Sequence, residues 1–588
     1  MLVTAALALI IGTFFDHYYE FNDDVLMKDI LSGAYAGTPS ALNVQMLAPL
    51  GWVISGLYRI AGFVPWYGLF LVGIQYVCVF LVFDRSLEMT DSPAGAVGTI
   101  ASGTVFFLSL LLPHFVMVQY TVTVSMMAGT ACFLICTIPA GLDVPAFLKK
   151  ALIPVLLIVV GYQLRTEMML LMMPFVFSAA LTALLRENHG ALDKESLKKY
   201  AAAVALVFAL MGCSLAVNAI AYSGTEWKAF LVEFDARTTL YDYEYVPDYS
   251  GENVGFYEQA GVSESQVQLL QIYDYGIDDR IDAGMMHAVA DHAEDLRRNG
   301  FADRIRESFK EYAYRCTHFA DGAYSALAFM LYLIVIMAMC MRKDLGVGRR
   351  LLLVLQNVGV LMLMRTVDWM AITYGRRLPD RITHSLYVAE ILVLIAMLLG
   401  QIACSLRDRN FFKMTMTVLL ILCGLIVLPG TLRNMKDRIE MQEEVNSCAR
   451  AIDEYCAGRP DCFYWEDVYS TIIDGESFNE KMFARMPRSG SEGTDGRTGG
   501  IRVKNYDLIG GWAMNSPILR TKMSLFGLND VGNDLLDSGK AFLIISDERD
   551  VDWVTDHYRD VGIDAGIEVV DAIKAKGGSF HVYRVVRK

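Results

Sequence analysis

The hydrophobic positions of this chain form long runs, separated by short polar loops and by two long polar segments. A membrane-spanning helix needs about 20 apolar residues, and most of these runs approach that length. Counting the first run, Met1–Phe15, the pattern predicts about eleven spans. The others are Trp66–Phe83, Gly95–Leu112, Val124–Ile138, Ala151–Gln163, Met168–Leu185, Tyr200–Tyr222, Gly322–Met341, Leu351–Met364, Leu386–Ala403 and Met414–Leu428.

One further apolar stretch, Asn43–Gly62, is interrupted by Pro49 and Arg59, so the pattern leaves open whether it crosses the membrane. The chain divides into four regions: an N-terminal membrane domain (1–222) with an acidic loop at 16–46, a mostly helical polar segment (223–321), further spans (322–430) and a polar C-terminal region (431–588). In that last region, a charged helix over Asp437–Tyr455, a helix over Val551–Tyr558 and strands over Ala541–Ser546 and Phe580–Val586 predict an α/β domain.

Composition supports the membrane class. Of the 588 residues, 54% are hydrophobic, which exceeds the average for a soluble protein. The net charge of -14 argues against a nucleic-acid partner. The 11 cysteines show no zinc-binding spacing, although Cys448, Cys456 and Cys462 lie close enough in sequence for one disulfide.

Basic residues set the expected orientation. They recur in every second short loop, as at Arg85, at Lys149 and Lys150, and at Arg349 and Arg350. Because positive loops stay in the cytoplasm, we expect a multi-pass protein of the plasma membrane with a cytoplasmic N-terminus. The acidic loop, segment 223–321 and the C-terminal domain then all lie outside the cytoplasm.

The acidic stretch after the first run contains the adjacent carboxylates Asp23 and Asp24, between aromatic residues and ahead of a short amphipathic helix predicted near Val25–Tyr35. A carboxylate at a membrane boundary serves as a general base, holds a metal, or is a hydrated turn. The sequence favours a catalytic role, with Asp23 ahead of Asp24. Because no His/Cys cluster exists, a bound metal here would be Mg²⁺ or Mn²⁺ on these carboxylates.

Arginines on the same side of the membrane suggest an anion site. Arg165 lies between two spans beside Glu167, where an ordinary ion pair is the alternative. A predicted outer loop, Arg365–His384, places many cations on the side that the positive-inside rule disfavours. Guanidinium groups bind phosphate oxygens with two hydrogen bonds. We therefore expect phosphate binding by Arg165, Arg365, Arg376, Arg377, Arg381 and His384. Trp512, after Gly510-Gly511, belongs to either a sugar-stacking loop or a structural turn.

An acidic motif in the first outer loop, a surface helix, about eleven spans and an outer C-terminal domain together resemble the GT-C glycosyltransferases, nearest to bacterial members of the family 39 and Rgt-like type. The resemblance implies transfer of a sugar from a polyprenyl-phosphate carrier to a glycan or lipid acceptor of the cell envelope. It also implies that Asp23 or Asp24 acts as base or metal-linked acid, and that the outer arginines meet the carrier phosphate. An envelope polysaccharide transporter and a non-catalytic envelope assembly or binding protein are the alternatives.

Overall fold

The computed structural model describes residues 1–90, 92–187, 194–297, 300–317, 321–342, 344–405, 410–483 and 502–588. Within these ranges, ten helices are long and apolar enough to cross a membrane, and the shorter apolar helix α1 (Leu2–Phe14) brings the number of apolar segments to the predicted eleven. The predicted class, a polytopic helical membrane protein with a C-terminal α/β domain, is confirmed.

The first half of the bundle follows the predicted runs, with longer helices. Two short helices, α2 (Asn22–Ser32) and α3 (Ala48–Ile60), separate α1 from the rest. A π-helical turn at Phe107–Leu111 makes α5 and α6 one continuous apolar segment. The remaining helices are α4 (Trp66–Glu88), α5 (Pro93–Phe106), α6 (Leu112–Val116), α7 (Tyr120–Thr137), α8 (Val144–Leu164), α9 (Thr166–Glu187) and α10 (Lys194–Ala221).

The polar segment and the second half of the bundle follow. The polar segment contains α11 (Thr225–Thr238), α12 (Asn253–Ala260), α13 (Glu264–Ile272), α14 (Ala283–Leu296) and α15 (Phe301–Thr317). The bundle then continues with α16 (Gly322–Cys340), α17 (Val347–Val354), α18 (Val360–Tyr374), α19 (Asp380–Ser405) and α20 (Asn410–Ala457). A π-helical turn, Leu355–Gly359, joins α17 to α18.

Three polar regions pack together at one end of the bundle, which we call the domain end. Strand β1 (Tyr18–Tyr19) pairs in parallel with β2 (Met117–Val118), directly before α7. The Gly276 N–H donates to the Ile509 carbonyl at 2.9 Å, which joins the 223–321 segment to the C-terminal domain. The acidic stretch, the 223–321 segment and the C-terminal domain therefore share one end of the molecule, as predicted.

The position of α3 answers the question that its sequence left open. Just before its start, the Leu47 N–H donates to the Gln163 carbonyl at 2.8 Å, near the end of α8. Near its other end, Arg59 donates to the Pro39 carbonyl at 2.9 Å. The Tyr58 hydroxyl also accepts from the Tyr67 N–H at the start of α4. Both ends of α3 lie at the domain end, so residues 43–62 do not cross the bundle.

The C-terminal domain contains a five-stranded sheet, in the order β6-β3-β7-β9-β8. Parallel pairs join β3 to β6 and β7, whereas β9 is antiparallel to both of its neighbours. The predicted strands over Ala541–Ser546 and Phe580–Val586 and the predicted helix over Val551–Tyr558 are confirmed. The elements are β3 (Phe463–Glu466), β4 (Ile472–Ile473), β5 (Glu476–Ser477), β6 (Tyr506–Leu508), α21 (Pro517–Leu525), α22 (Val531–Asp537), β7 (Ala541–Ser546), α23 (Asp552–Asp560), β8 (Ala565–Lys574) and β9 (Ser579–Arg587).

Two local predictions, on the acidic pair and on the stretch 365–384, were wrong. The acidic pair does not precede the helix but lies inside the first turn of α2, where the helix dipole stabilises carboxylates. The stretch 365–384 is mostly helix, because α18 and α19 leave only 375–379 between them. The predicted charged helix over 437–455 is present, and it continues the last span within α20. Cys448, Cys456 and Cys462 are all free thiols.

Candidate active site

The two carboxylates of α2 have different surroundings. Asp24 is fully buried, and its Oδ1 accepts a hydrogen bond of 2.7 Å from the Tyr67 hydroxyl on α4. Burial raises the pKa of Asp24 well above the usual aspartate value, although the hydrogen bond from Tyr67 opposes the shift. Burial therefore favours the neutral form of Asp24, which suits a structural carboxyl group better than a base.

Asp23 is the more accessible of the pair. It is only partly buried, and its Oδ1 accepts a hydrogen bond of 3.0 Å from the indole Nε1 of Trp512 in the C-terminal domain. A base must be ionised and must reach its substrate. Asp23 is the more accessible of the two carboxylates, so it meets the condition of reach better than Asp24.

Two arginines lie near the acidic stretch on the side of the bundle. Tyr120, at the start of α7, lies within electrostatic reach of Asp23, Asp24, Arg165 and Arg381 together. The guanidinium of Arg165 lies 5.4 Å from the centre of the Tyr120 ring, and its Nε is 3.1 Å from Glu167. The guanidinium of Arg381 lies 4.7 Å from the centre of the Phe21 ring, two residues before Asp23.

The structure separates the other arginines of the predicted loop. Arg377 forms an ion pair of 3.1 Å with Asp242 of the polar segment, and Asp242 in turn lies in the field of Arg165. Arg376 is exposed and adopts a left-handed backbone conformation with φ of 55°. Arg377 therefore lies at the rim of the group around Asp23, whereas Arg376 is exposed to solvent.

Arg365 has a different environment from the one predicted. Its side chain is 7% exposed and forms an ion pair of 3.0 Å with the fully buried Glu390 on α19. The rings of Tyr312, Trp369 and Tyr387 surround its guanidinium at 5.2 to 5.8 Å. Arg365 and Glu390 are thus charges within candidate spans, and Arg365 is paired with a residue of the chain itself.

His384 lies on α19, one turn from Arg381, in an aromatic cluster. Its ring stacks on Tyr324 with centroids 4.4 Å apart, and it meets His114 at 5.5 Å. The His114 Nε2 is in turn 3.1 Å from the Tyr324 hydroxyl, and His384 Nε2 is 3.6 Å from Asp321. This cluster joins α6, α16 and α19 at the domain end.

An apolar cavity of about 380 Å³ lies between α4, α5, α7, α16, α19 and α20. Its lining includes Phe107, Leu110, Leu327, Val388, Leu392 and Val427. Arg381, His384 and Val388 are spaced at i, i+3 and i+7 on α19, so they share one helix face. That face leads from the cations at the domain end into the apolar cavity.

The polar segment 223–321 also contributes residues near Asp23, and the sequence analysis did not identify them. Arg237 Nε donates to the Tyr273 hydroxyl at 2.5 Å, and Tyr273 lies in the fields of Asp23 and Asp242. Burial raises the pKa of Tyr273 to about 12, so its hydroxyl stays protonated. Tyr273 has a left-handed φ of 68°, which is uncommon outside functional or turn positions. The sequence carries no signal that Tyr273 lies near Asp23, because the two residues are 250 positions apart in the chain.

The acidic pair does not fit a divalent cation. Asp23 Oδ1 and Asp24 Oδ1 each accept from a neutral donor, Trp512 and Tyr67, and burial favours the protonated form of Asp24. Across the described ranges, no group of three or more His, Cys, Asp or Glu residues is placed to hold a metal ion. Mg²⁺ and Mn²⁺ prefer several charged or carbonyl oxygens, which this pair does not offer.

No protein-family model and no curated protein matches the chain. Two solved structures match it along almost its whole length: ArnT from Cupriavidus metallidurans in the apo state and ArnT from the same organism bound to undecaprenyl phosphate. Each is 11% identical, the matches cover 99% of this chain and 97% of the other, and the TM-scores are 0.39 and 0.38.

Proposed function

We propose that this protein is a membrane glycosyltransferase that moves a sugar from a polyprenyl-phosphate carrier to an acceptor hydroxyl at the domain end. The observation that carries the proposal is the shared face of Arg381, His384 and Val388 on α19, which joins the cations near Asp23 to the apolar cavity. A carrier lipid needs both: cations for its phosphate and an apolar space for its chain.

The roles follow from the surroundings of each side chain. The acceptor oxygen attacks the anomeric carbon as the bond from that carbon to the carrier phosphate breaks. Asp23 accepts the proton of the acceptor hydroxyl. Arg381, together with Arg165 and Arg377, stabilises the negative charge on the departing polyprenyl phosphate. His384 lies between these cations and the cavity, where it meets the junction of phosphate and lipid chain.

Transfer can be tested with the full chain in liposomes, using a panel of polyprenyl-phosphate monosaccharides with labelled sugars. Asp23→Asn keeps the size of the side chain but accepts no proton, so we expect transfer to fall by about 10²–10⁴-fold. Arg381→Gln removes a charge-assisted contact and should weaken the apparent donor affinity on the order of tenfold or more. Arg376→Gln, at an exposed turn, is the matched control and should leave both quantities unchanged.

Unchanged transfer by Asp23→Asn would contradict the role of the acid. Equal effects of Arg376→Gln and Arg381→Gln would contradict the assignment of the phosphate site, because only Arg381 lies on the face that leads to the cavity.

A transporter is the second candidate, since Arg365 and Glu390 are ionisable groups within candidate spans. The same liposomes separate the two functions. A transporter moves labelled lipid or glycan across the bilayer with its sugar linkage intact, whereas a transferase releases polyprenyl phosphate.

A further inference from the structure

The C-terminal domain binds the acidic helix of the membrane domain along an extended seam. Backbone hydrogen bonds cross it at three places: Met482 N–H to the His17 carbonyl at 2.8 Å, Tyr19 N–H to the Glu480 carbonyl at 3.1 Å, and Lys504 N–H to the Ala34 carbonyl at 3.2 Å. Backbone pairing on both sides of α2 fixes the position of this helix relative to the C-terminal domain.

Buried charges strengthen the same seam. Lys28 on α2 pairs with Asp29 at 2.9 Å and with Glu480 of the C-terminal domain. Lys504 pairs with Asp29 at 2.7 Å and with Glu480 at 2.6 Å. Two cations thus alternate with two anions across the interface, and each charged group has partners of opposite sign. These ion pairs fix α2 about one turn after Asp23 and Asp24.

Trp512 reaches Asp23 from a loop that is itself fixed on two sides. The Ile509 N–H donates to the Glu466 carbonyl of β3 at 3.0 Å, and the Tyr275 hydroxyl donates to the Gly511 carbonyl at 2.8 Å. Gly511 has a left-handed φ of 94°. A Cβ on Gly510 would lie 1.8 Å from the Tyr273 carbonyl oxygen, so no larger residue fits there. The two glycines are therefore required by a turn that presents the next residue.

The presented side chain is held in place. The Trp512 side chain is 8% exposed, and its indole N–H donates to Asp23 Oδ1 at 3.0 Å. With its ring covered, Trp512 offers no face for a sugar to stack on, so the sugar-stacking alternative from the sequence is not supported. Trp512 contributes one hydrogen-bond donor, its indole N–H, in a fixed direction.

We propose that Trp512 is the positioning residue of the candidate base, so that the C-terminal domain completes the active site. This inference rests on the proposed function, because it assigns a role within the same reaction. The indole N–H fixes the side-chain rotamer of Asp23 by occupying Oδ1, and it leaves Oδ2 to accept the proton of the acceptor hydroxyl. A neutral donor suits this task, since it orients the carboxylate without neutralising its charge.

The test removes the indole N–H and nothing else. Site-specific replacement of Trp512 by β-(3-benzothienyl)alanine keeps the shape of the ring and substitutes sulfur for N–H. We expect transfer to fall on the order of tenfold or more, as for the loss of a hydrogen bond to a charged group. The matched control is the same replacement at Trp553, which is 3% exposed and whose Nε1 has no partner among the described residues. Transfer by this control should be unchanged.

Two further measurements separate positioning from packing. In an Asp23→Asn background, the Trp512 replacement should cause no further loss, because Trp512 acts through Asp23. The indole ¹H–¹⁵N resonance of Trp512 should shift on Asp23→Asn and stay in place on Asp16→Asn, whose side chain pairs with Lys481 instead.

Suppose that the wild type transfers sugar and Asp23→Asn does not. Full transfer by the Trp512 replacement would then overturn the positioning role, while the proposed function would stand. An indole resonance that ignores Asp23→Asn also overturns the positioning role. A wild-type chain that transfers no sugar from any carrier overturns the proposed function, and the positioning role with it.

Discussion

At the scale of single residues, two adjacent carboxylates of one helical turn have different surroundings. Asp24 points into the protein toward Tyr67, while Asp23 faces Trp512 and the arginines. Their difference follows from burial and hydrogen-bond partners, since the residue type and the helix position are the same. Two neighbouring acids with unlike environments are how a protein separates a structural carboxyl from a reactive one.

The buried carboxyl predicts a pH dependence. The folded-state pKa of Asp24 is raised by burial, so the folded protein binds this proton more tightly than the unfolded chain. Its contribution to stability is complete below the usual aspartate pKa, falls as the pH rises above it, and is gone once the pH passes the raised value. Asp24→Asn mimics the neutral form. We expect its melting temperature, measured in detergent from pH 5 to 9, to decline less with pH than that of the wild type.

Asp23→Asn is the comparison within the same turn. Asp23 is only partly buried, so this variant should retain the slope of the wild type. A wild-type slope in Asp24→Asn as well would show that Asp24 is ionised in the folded protein, contrary to its burial.

At the scale of elements, the ion pair of Arg365 and Glu390 ties α18 to α19 inside the bundle. The partner of Arg365 is a residue of the chain itself, which argues that this arginine holds the helices together and does not bind the carrier phosphate. Removing one partner leaves a buried charge without compensation. We expect Glu390→Gln to lower the free energy of unfolding by about 3–5 kcal/mol.

A double variant, Arg365→Met with Glu390→Leu, should lose less than Glu390→Gln alone, because neither charge remains. Glu88→Gln breaks the more exposed pair with Arg85 and should change the stability by at most about 1 kcal/mol. Denaturant titration followed by intrinsic fluorescence gives all three values. A loss no larger for Glu390→Gln than for Glu88→Gln would contradict the structural role.

The seam between α2 and the C-terminal domain predicts a pH dependence of stability opposite in sign to that of Asp24. Burial opposes the ionisation of Glu480, but Lys28 and Lys504 outweigh it and hold the pKa well below the usual glutamate range. The resulting stabilisation is present above the usual glutamate pKa and is lost as the pH falls toward the lowered value. Glu480→Gln should therefore lower the melting temperature most at neutral pH, and the gap to the wild type should shrink in acid.

Asp16→Asn breaks a more exposed pair with Lys481 in the same region and serves as the control, with a small effect at every pH. A gap that stays constant down to about pH 3 would show that Glu480 does not titrate through this network.

At the scale of the whole molecule, the runs of apolar residues predicted the bundle and the sharing of one end by the polar regions. Those features depend on local composition, which a sequence displays directly. The long α20 was divided in the prediction because its apolar run ends near Leu428, although the helix continues to Ala457. Change in polarity along a helix does not mark the end of the helix.

The site was predicted in part for the same reason. Asp23, Arg165 and Arg381 stood out as charges at a membrane edge, and the structure brings them around Tyr120. Arg365 stood out equally and lies elsewhere, because its partner Glu390 is 25 residues away on another helix. Trp512 lies 489 residues from Asp23, so no local pattern links them. Contacts that join distant segments are set by the tertiary fold alone.

The fold also sharpens the prediction of orientation. The alternation of basic loops predicts that the domain end lies outside the cytoplasm. Orientation can be tested by labelling introduced cysteines, which must be exposed. Lys199 is unsuitable because it is buried and donates to the Leu142 carbonyl, whereas Lys198 beside it is exposed. Ser491, in the loop 489–500 that the sequence marks as Gly/Ser-rich, lies outside the described residues. The exposed Lys540, before β7, is the better reporter for the C-terminal domain.

Cysteines at 198, 349 and 540, in a background without Cys316 and Cys462, can be labelled in intact cells with a membrane-impermeant thiol reagent. We expect labelling at 540 only, and at 198 and 349 after permeabilisation. The helices α11 to α15 and the domain end of the bundle share one side with Lys540, so a single result orients the candidate active site. Labelling at 198 and 349 but not at 540 would place Asp23 and its arginines in the cytoplasm, where an acceptor outside the cell cannot reach them. The proposed transfer to an extracytoplasmic acceptor would then be wrong, even with the fold and the ion pairs unchanged.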